Sequence, residues 1–243
     1  MSKKIVVVGK GKWGKKVISA LKKVSQIIQI VDSKTPKKNI FTNNVDWAFI
    51  LTPYDKHYSL TKFFLKKKIN VFCEKPLDKN PEKFEKLLKL SKAQNVKLYI
   101  DDIELYKKKK LIIKKVNFIK RYKHDIEKKE PIIYRLAYHD IYLLYDCLKK
   151  LNNLKIKIIN NNSKQCYFKI HDKIKEFHFD YKINEIKKIH KINNINFLKF
   201  RKNPLKLMIK NVLFPLQKNV YQKNNFRAQL TTKILNKIDK VKR

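Results

Sequence analysis

"VVVGKGKWGKK", residues 6–16, decides the fold. It holds every glycine of a 243-residue chain: Gly9, Gly11 and Gly14. Average usage of about 7% would give roughly 17. The three obey G-x-G-x-x-G after the β-branched run Ile5–Val8, ahead of a helical stripe at Trp13, Val17, Ala20, Leu21 and Val24. In that setting the first glycine permits a tight turn and the second lets backbone approach a pyrophosphate. The third lets helix and strand pack closely. A helix opening at Lys12 and Trp13 turns unpaired N–H groups and dipole charge toward the phosphates. Asp32 closes the next apolar run, 18 residues after Gly14. A carboxylate there accepts hydrogen bonds from both hydroxyls of an adenosine ribose, which favours NAD. Ser33 and Lys34 follow and suit a 2′-phosphate, so NADP stays open.

Outward from this motif the chain alternates. Strands are expected at Ile27–Val31, Trp47–Leu51, Asn70–Cys73 and Val96–Ile100. Helices are expected over 56–67 and over Pro81–Gln94, the latter opened by Asn80 before Pro81. That rhythm predicts a parallel, doubly wound α/β sheet with right-handed crossovers. After residue 102 the texture changes. Lys107–Lys110 is a charge run, and no element is assigned up to Pro131. A helix is expected over Ala137–Leu151. From Lys155 to Phe200 period-two stretches such as "CYFKIH" and "KEFHFDY" predict a mostly antiparallel sheet. Residues 204–241 read as helix packing back, on the Rossmann domain or as core, rather than lying on a membrane. The expected domains are 1–104, a Rossmann dinucleotide-binding domain, and 105–243, a truncated α+β domain for substrate binding and oligomerisation.

Composition excludes more than it assigns. The formal charge is +40, yet only five of the 60 basic residues are arginine. Arginine is the usual reader of phosphates and bases. The lysines run along nearly the whole chain, as expected if composition drifted toward Lys, Ile and Asn, so no nucleic-acid partner is expected. No apolar run approaches the ~18 residues of a membrane span, and no secretory leader is legible, which predicts a cytoplasmic protein. Cys73, Cys147 and Cys166 form no CxxC pair, so neither a disulfide framework nor a metal site is expected.

"VFCEKPL", residues 71–77, carries the chemistry. Glu74-Lys75-Pro76 lies just past a strand's carboxyl end, the edge where open α/β sheets bind ligands. A lysine there donates to a substrate hydroxyl oxygen, or shuttles its proton if burial lowers its pKa. Glu74 is placed to hold or tune that ammonium, and Pro76 to fix the turn, through a cis bond or otherwise.

The order of G-x-G-x-x-G, "ILTPYDKHY" (50–58) and "VFCEKPL" resembles the glucose–fructose oxidoreductase / inositol dehydrogenase (Gfo/Idh/MocA) family. "RLAYHDIYLLYD" (135–146) stands where that family has an Asp-x-x-x-His motif, and is most similar to the form "DLAPHD" of members acting on nucleotide sugars. His139 and Asp140 match, while Arg135 replaces the motif's Asp and Tyr138 its Pro. "YIDDIELY" (99–106) is similar to the loop those members place beside substrate. Tyr106 matches, and Asp102 stands where a His is usual. The resemblance is strong over residues 5–106, moderate over 135–150 and only architectural beyond.

The resemblance implies an NAD(P)-dependent dehydrogenase or reductase acting on CH–OH groups of a sugar or nucleotide sugar, with a place in surface polysaccharide biosynthesis. It implies Lys75 and His139 as catalytic residues. Thr52, Pro53, His57 and Glu74 would join Gly9, Gly11, Lys12, Trp13, Gly14, Asp32 and Ser33 at the cofactor. Asp102, Tyr106, Arg135 and Asp140 would meet substrate. Homo-oligomers built on the second-domain sheet are implied too. Arg135 admits two explanations, an anionic substrate or a decaying site. The alternative function is therefore a catalytically degenerate dinucleotide binder serving regulation or assembly.

Overall fold

The computed structural model describes residues 2–107, 118–123, 131–150, 153–162, 164–199 and 203–241. The charge run beyond Lys107 lies outside them, as do the expected element ends at Leu151 and Phe200. Two compact units are present, Met1–Ile103 with Asn203–Gln229, and Glu104–Lys202 with Leu230–Arg243.

The first unit is a parallel sheet of β1 (Lys4–Val8), β2 (Gln26–Val31), β3 (Trp47–Ile50), β4 (Asn70–Cys73) and β5 (Leu98–Ile100), in the order β2-β1-β3-β4-β5. Ile5, Val6, Val7, Phe49 and Phe72 are fully buried. That explains the continuous apolar runs, since a parallel sheet is covered on both faces. Each such side chain contributes about 1.5–3 kcal/mol. The crossovers are α1 (Lys12–Leu21), α2 (His57–Lys66) and α3 (Pro81–Ala93). α1 buries Gly14, Val17, Ile18 and Leu21. It stops short of Val24, whose N–H instead bonds the Leu21 carbonyl in a turn at 2.9 Å. Asn80 caps α3, its Oδ1 accepting from Glu82 N–H at 2.8 Å. Strand order reverses beside β1, so the crevice beyond β1 and β3 is the switch point where ligands bind.

In the second unit β6 (Phe118–Lys123), β7 (Lys155–Asn161), β8 (Gln165–His171), β9 (Glu176–Ile183), β10 (Ile189–Ile192) and β11 (Ile195–Asn196) form a sheet ordered β11-β10-β6-β9-β8-β7. Its pairings are antiparallel except β6 with β9, which is parallel. β6 falls in the stretch left without an element at the sequence level. The expected helix from Ala137 is broken into pieces: a π-helical turn over Ile133–Ala137, α4 (Tyr138–Leu143) and α5 (Tyr145–Leu148). The break falls at Leu144, where the backbone leaves helical geometry at φ −86°, ψ 7°.

α6 (Pro204–Leu213) buries Met208, Ile209, Val212 and Leu213 and packs against α1. The apolar face of this segment is therefore core, while Phe214 stays exposed. α7 (Val220–Val241) follows. Among the described residues, seven other than glycine take positive φ: Asn44, Lys68, Asn95, Asn153, Asn184, Asn193 and Asn203. Among non-glycine residues asparagine tolerates that region best. No described helix is long and apolar enough to cross a membrane.

Candidate active site

The glycine turn links the ends of β1 and β3. Gly9 has φ +105°, and a Cβ on it would meet the Leu51 carbonyl oxygen at 2.7 Å. Its N–H bonds the Val31 carbonyl at 2.8 Å, so the turn also holds the end of β2. A Cβ on Gly14 would lie 2.5 Å from the Gly9 carbonyl oxygen. Gly11 differs: it caps α1 with φ −65°, and its Cβ would find nothing within 4 Å. α1 has no side-chain cap and no acidic residue in its first turn, which begins at Lys12. Its leading N–H groups are thus unopposed by protein carboxylates.

Asp32 directly follows β2. Its Oδ2 takes a salt bridge from Lys10 Nζ at 2.7 Å. Oδ1 accepts from the Lys34 N–H at 2.9 Å and from the Thr35 hydroxyl at 3.2 Å. The Lys10 contact and then the Lys34 N–H hold its carboxyl down at about 2. Ser33 beside it is exposed.

These residues fit a dinucleotide. The space at Gly11 is one that a Cβ would enter and that no protein atom uses. Thr52 Oγ1 and Trp13 Nε1 are buried without a hydrogen-bond partner among the described residues. Next to Thr52, Pro53 opens a helical turn at Tyr54–Lys56. His57 is buried and spans two loops: Nδ1 lies 2.7 Å from the Pro76 carbonyl and Nε2 2.8 Å from the Thr52 carbonyl. Its ring thus ties the Thr-Pro loop after β3 to the Glu-Lys-Pro loop after β4.

Lys75 is two residues past the end of β4, and the Lys75–Pro76 peptide is cis. The Lys75 N–H donates to Glu74 Oε2 at 2.9 Å. Glu74 lies against Asp101, because Cys73 and Ile100 are register partners at the ends of β4 and β5. Burial, then the charge of Asp101 and a hydrogen bond with it, push the Glu74 carboxyl well above its usual range, against the opposing charge of Lys75. Lys75 therefore follows a buried pair of acids, Glu74 and Asp101, in which burial and mutual charge favour the protonated form of Glu74. Asp101 was not foreseen; the only signal for it was the doubled acid "DD" at the end of β5.

The expected substrate residues fall in two places. In the first unit, Asp102 is buried and accepts from the Tyr99 hydroxyl at 2.7 Å and from Asn224 Nδ2 at 3.4 Å. In the second, Tyr106 ends a helical turn over Ile103–Tyr106, and Arg135 is half-buried in the π-helical turn. His139 is half-buried in the first turn of α4, whereas Asp140 is fully buried. Arg121 Nη1 donates to Asp140 Oδ1 at 3.3 Å, and His190 Nε2 lies 2.8 Å from the same oxygen.

A parallel sheet whose switch point carries a glycine turn, a helix N-terminus and an acid at the end of β2 has the architecture of a dinucleotide-binding α/β fold. Residues 3–101 match the model of the oxidoreductase family with the NAD-binding Rossmann fold, GFO_IDH_MocA. No curated protein matches the sequence. Among solved structures, UDP-N-acetylglucosamine 3-dehydrogenase GnnA from Acidithiobacillus ferrooxidans is similar at a TM-score of 0.81 and 10% identity, over 98% of this chain and 96% of that one. A second crystal form of GnnA gives 0.77 and 12%, over 97% and 98%. A probable dehydrogenase from Thermotoga maritima gives 0.71 and 17%, over 99% and 97%. At such identities the likeness is one of fold.

Proposed function

We propose that this protein transfers hydride between a secondary alcohol or ketone of a sugar or nucleotide sugar and a nicotinamide cofactor, NAD in preference to NADP. The position of Lys75 carries the reading. It stands at the carboxyl edge of the parallel sheet, in the unit that holds the glycine turn, with Glu74 and Asp101 at its base. Bound nicotinamide would supply the hydride acceptor in one direction and the donor in the other.

Lys75 hydrogen-bonds the reacting oxygen and, in the oxidative direction, takes the hydroxyl proton as its neutral amine, becoming the ammonium as hydride leaves the same carbon. His139 assists as acid/base or substrate ligand. Gly9, Gly11, Gly14 and the α1 N-terminus, with Lys12 and Trp13, hold the pyrophosphate. Asp32 meets the ribose, with Ser33 beside it, and Thr52 and Pro53 line the loop that His57 fixes. Arg135 and Tyr106 meet the substrate, where a guanidinium suits the diphosphate of a nucleotide sugar. Asp102 and Asp140 shape the site through the protein groups they hold. The likeness to a UDP-N-acetylglucosamine dehydrogenase supports a nucleotide sugar as substrate.

The test is NADH binding by fluorescence on wild type and Lys75→Ala, followed by turnover screens against UDP-sugars and inositols. Binding by both with turnover by wild type alone is expected. Binding by both with turnover by neither would favour the degenerate binder. No binding of NADH or NADPH would remove the proposal altogether.

A further inference from the structure

The second unit contains a buried charge cluster that the sequence did not announce. Its members are Glu104 in the turn after β5, Arg121 in β6, Asp140 in α4 and His190 in β10. Arg121 Nη2 donates to Glu104 Oε1 at 2.9 Å, and Lys107 Nζ reaches the same oxygen at 2.8 Å. Arg121 Nη1 donates to Asp140 Oδ1 at 3.3 Å and to the Leu136 carbonyl at 3.4 Å. His190 closes the ring, its Nε2 2.8 Å from Asp140 Oδ1 and its Nδ1 4.0 Å from Glu104 Oε2. None of these four side chains is more than 6% exposed.

Such a cluster is a poor source of stability, since apolar side chains of similar volume commonly do as well. Its geometry points elsewhere. The guanidinium holds the chain at two places that bracket His139, the carbonyl of Leu136 in the π-helical turn before it and the carboxylate of Asp140 in α4 directly after it. The same guanidinium holds Glu104, whose ionised state registers His139. Burial raises the Glu104 carboxyl, and the charges of Arg121, His139, Lys107 and His190 together outweigh burial and hold it well below its usual range.

We propose that Arg121 and Glu104 are positioning residues for His139, Arg121 fixing the turn that presents the imidazole and Glu104 supplying the buried counter-charge to its protonated form. The proposal rests on the role given above to His139. A planar fork is required, because one ammonium cannot serve Leu136, Asp140 and Glu104 together. The other charged or titratable groups around the pair are Lys107 on the Glu104 turn, Asp140 on α4, His190 on β10 and Tyr181 on β9.

The experiment uses the full chain as wild type, Glu104→Gln and Arg121→Lys, with His139→Gln to assign the His139 resonance. The His139 imidazole is titrated by NMR, NADH affinity is measured, and kcat and KM are taken on the sugar turned over. In Glu104→Gln the His139 titration moves to lower pH while NADH affinity holds. In Arg121→Lys kcat falls by on the order of 10²-fold, the cost of a misplaced group, with KM little changed. An unmoved titration in Glu104→Gln overturns the counter-charge, and an unchanged kcat in folded Arg121→Lys overturns the clamp. Should Arg121→Lys fail to fold, the Glu104→Gln titration decides. If wild type turns over no sugar, the catalytic reading fails while the titration still tests the link between Glu104 and His139.

Discussion

A Cβ placed on Gly14 would lie 2.5 Å from the carbonyl oxygen of Gly9, closer than any real side chain approaches backbone. Gly14→Ala must therefore push α1 away from the turn after β1. Overpacking of this kind costs about 1–3 kcal/mol, read as a drop in thermal midpoint. Gly11→Ala is the control, because its methyl meets no protein atom within 4 Å and φ is −65°. That variant keeps the wild-type midpoint and loses NADH affinity. Equal loss of stability in both would disconnect Gly11 from the cofactor.

If Asp32 meets the ribose as proposed, it sets the preference between the two nicotinamide cofactors. Asp32→Ala weakens NADH binding by about tenfold, the worth of a hydrogen bond to a charged group, and improves NADPH, whose 2′-phosphate then meets Lys10 and Lys34. Paired dissociation constants check this. The folded carboxyl is held down at about 2 from an ordinary 3.8. The stability from its Lys10 contact is therefore complete above 3.8 and lost as pH falls toward about 2. The charge of Asp32 is constant throughout the neutral range, so any change of selectivity there belongs to the 2′-phosphate of NADPH, whose second ionisation lies at about pH 6.

Glu74 gives the opposite sign. Its folded carboxyl is raised well above 4.5, so the folded state holds a proton that the unfolded chain releases. Stability from this group is complete below 4.5 and declines as pH rises toward the folded value. Glu74→Gln mimics the neutral acid. It flattens the fall in thermal midpoint that wild type shows as pH rises above 4.5. Parallel curves for the two proteins would mean that Glu74 is ionised in the fold.

Arg121→Met strips the cation from Glu104 and Asp140 and leaves two buried carboxylates with poorer compensation. Breaking a buried pair this way costs about 3–5 kcal/mol, measured by urea unfolding. Changing Glu104, Asp140 and Arg121 together to apolar residues restores much of it. Loss that simply adds across the three sites would show them to be independent.

What was legible follows from what each residue had to do. The first unit could be read because G-x-G-x-x-G and continuous apolar runs belong to parallel strands and their turns. β6 was missed because its outward positions hold Phe118, Lys120 and Tyr122 while Arg121 sits on the inward face beside Ile119, so the apolar/polar alternation is scrambled. Arg121 was itself a signal. In a chain with so few arginines, one at an inward position of a strand is a buried ion pair in waiting. Its partners Glu104 and Asp140 stand 17 and 19 positions away, and no periodicity reaches across that distance. The helix from Ala137 was legible as helix, but its π-helical start was not. Nothing in "IYRLA" separates a π turn from an α turn before the strands pack on it.

The asparagines at positive φ complete the account of the glycines. Glycine ordinarily offers a chain two things, left-handed backbone and the absence of bulk. Here asparagine takes over the first at six described positions, glycine supplies it only at Gly9 among the described residues, and the glycine motif chiefly supplies the second. Gly9 and Gly14 yield their volume to protein, and Gly11 yields it to nothing the protein contains. Turns that ask only for handedness are free to wander in sequence, while a site that asks for emptiness is not. This chain shares its fold with a solved structure at 10% identity, and the empty corner at Gly11 is where the proposed cofactor would sit.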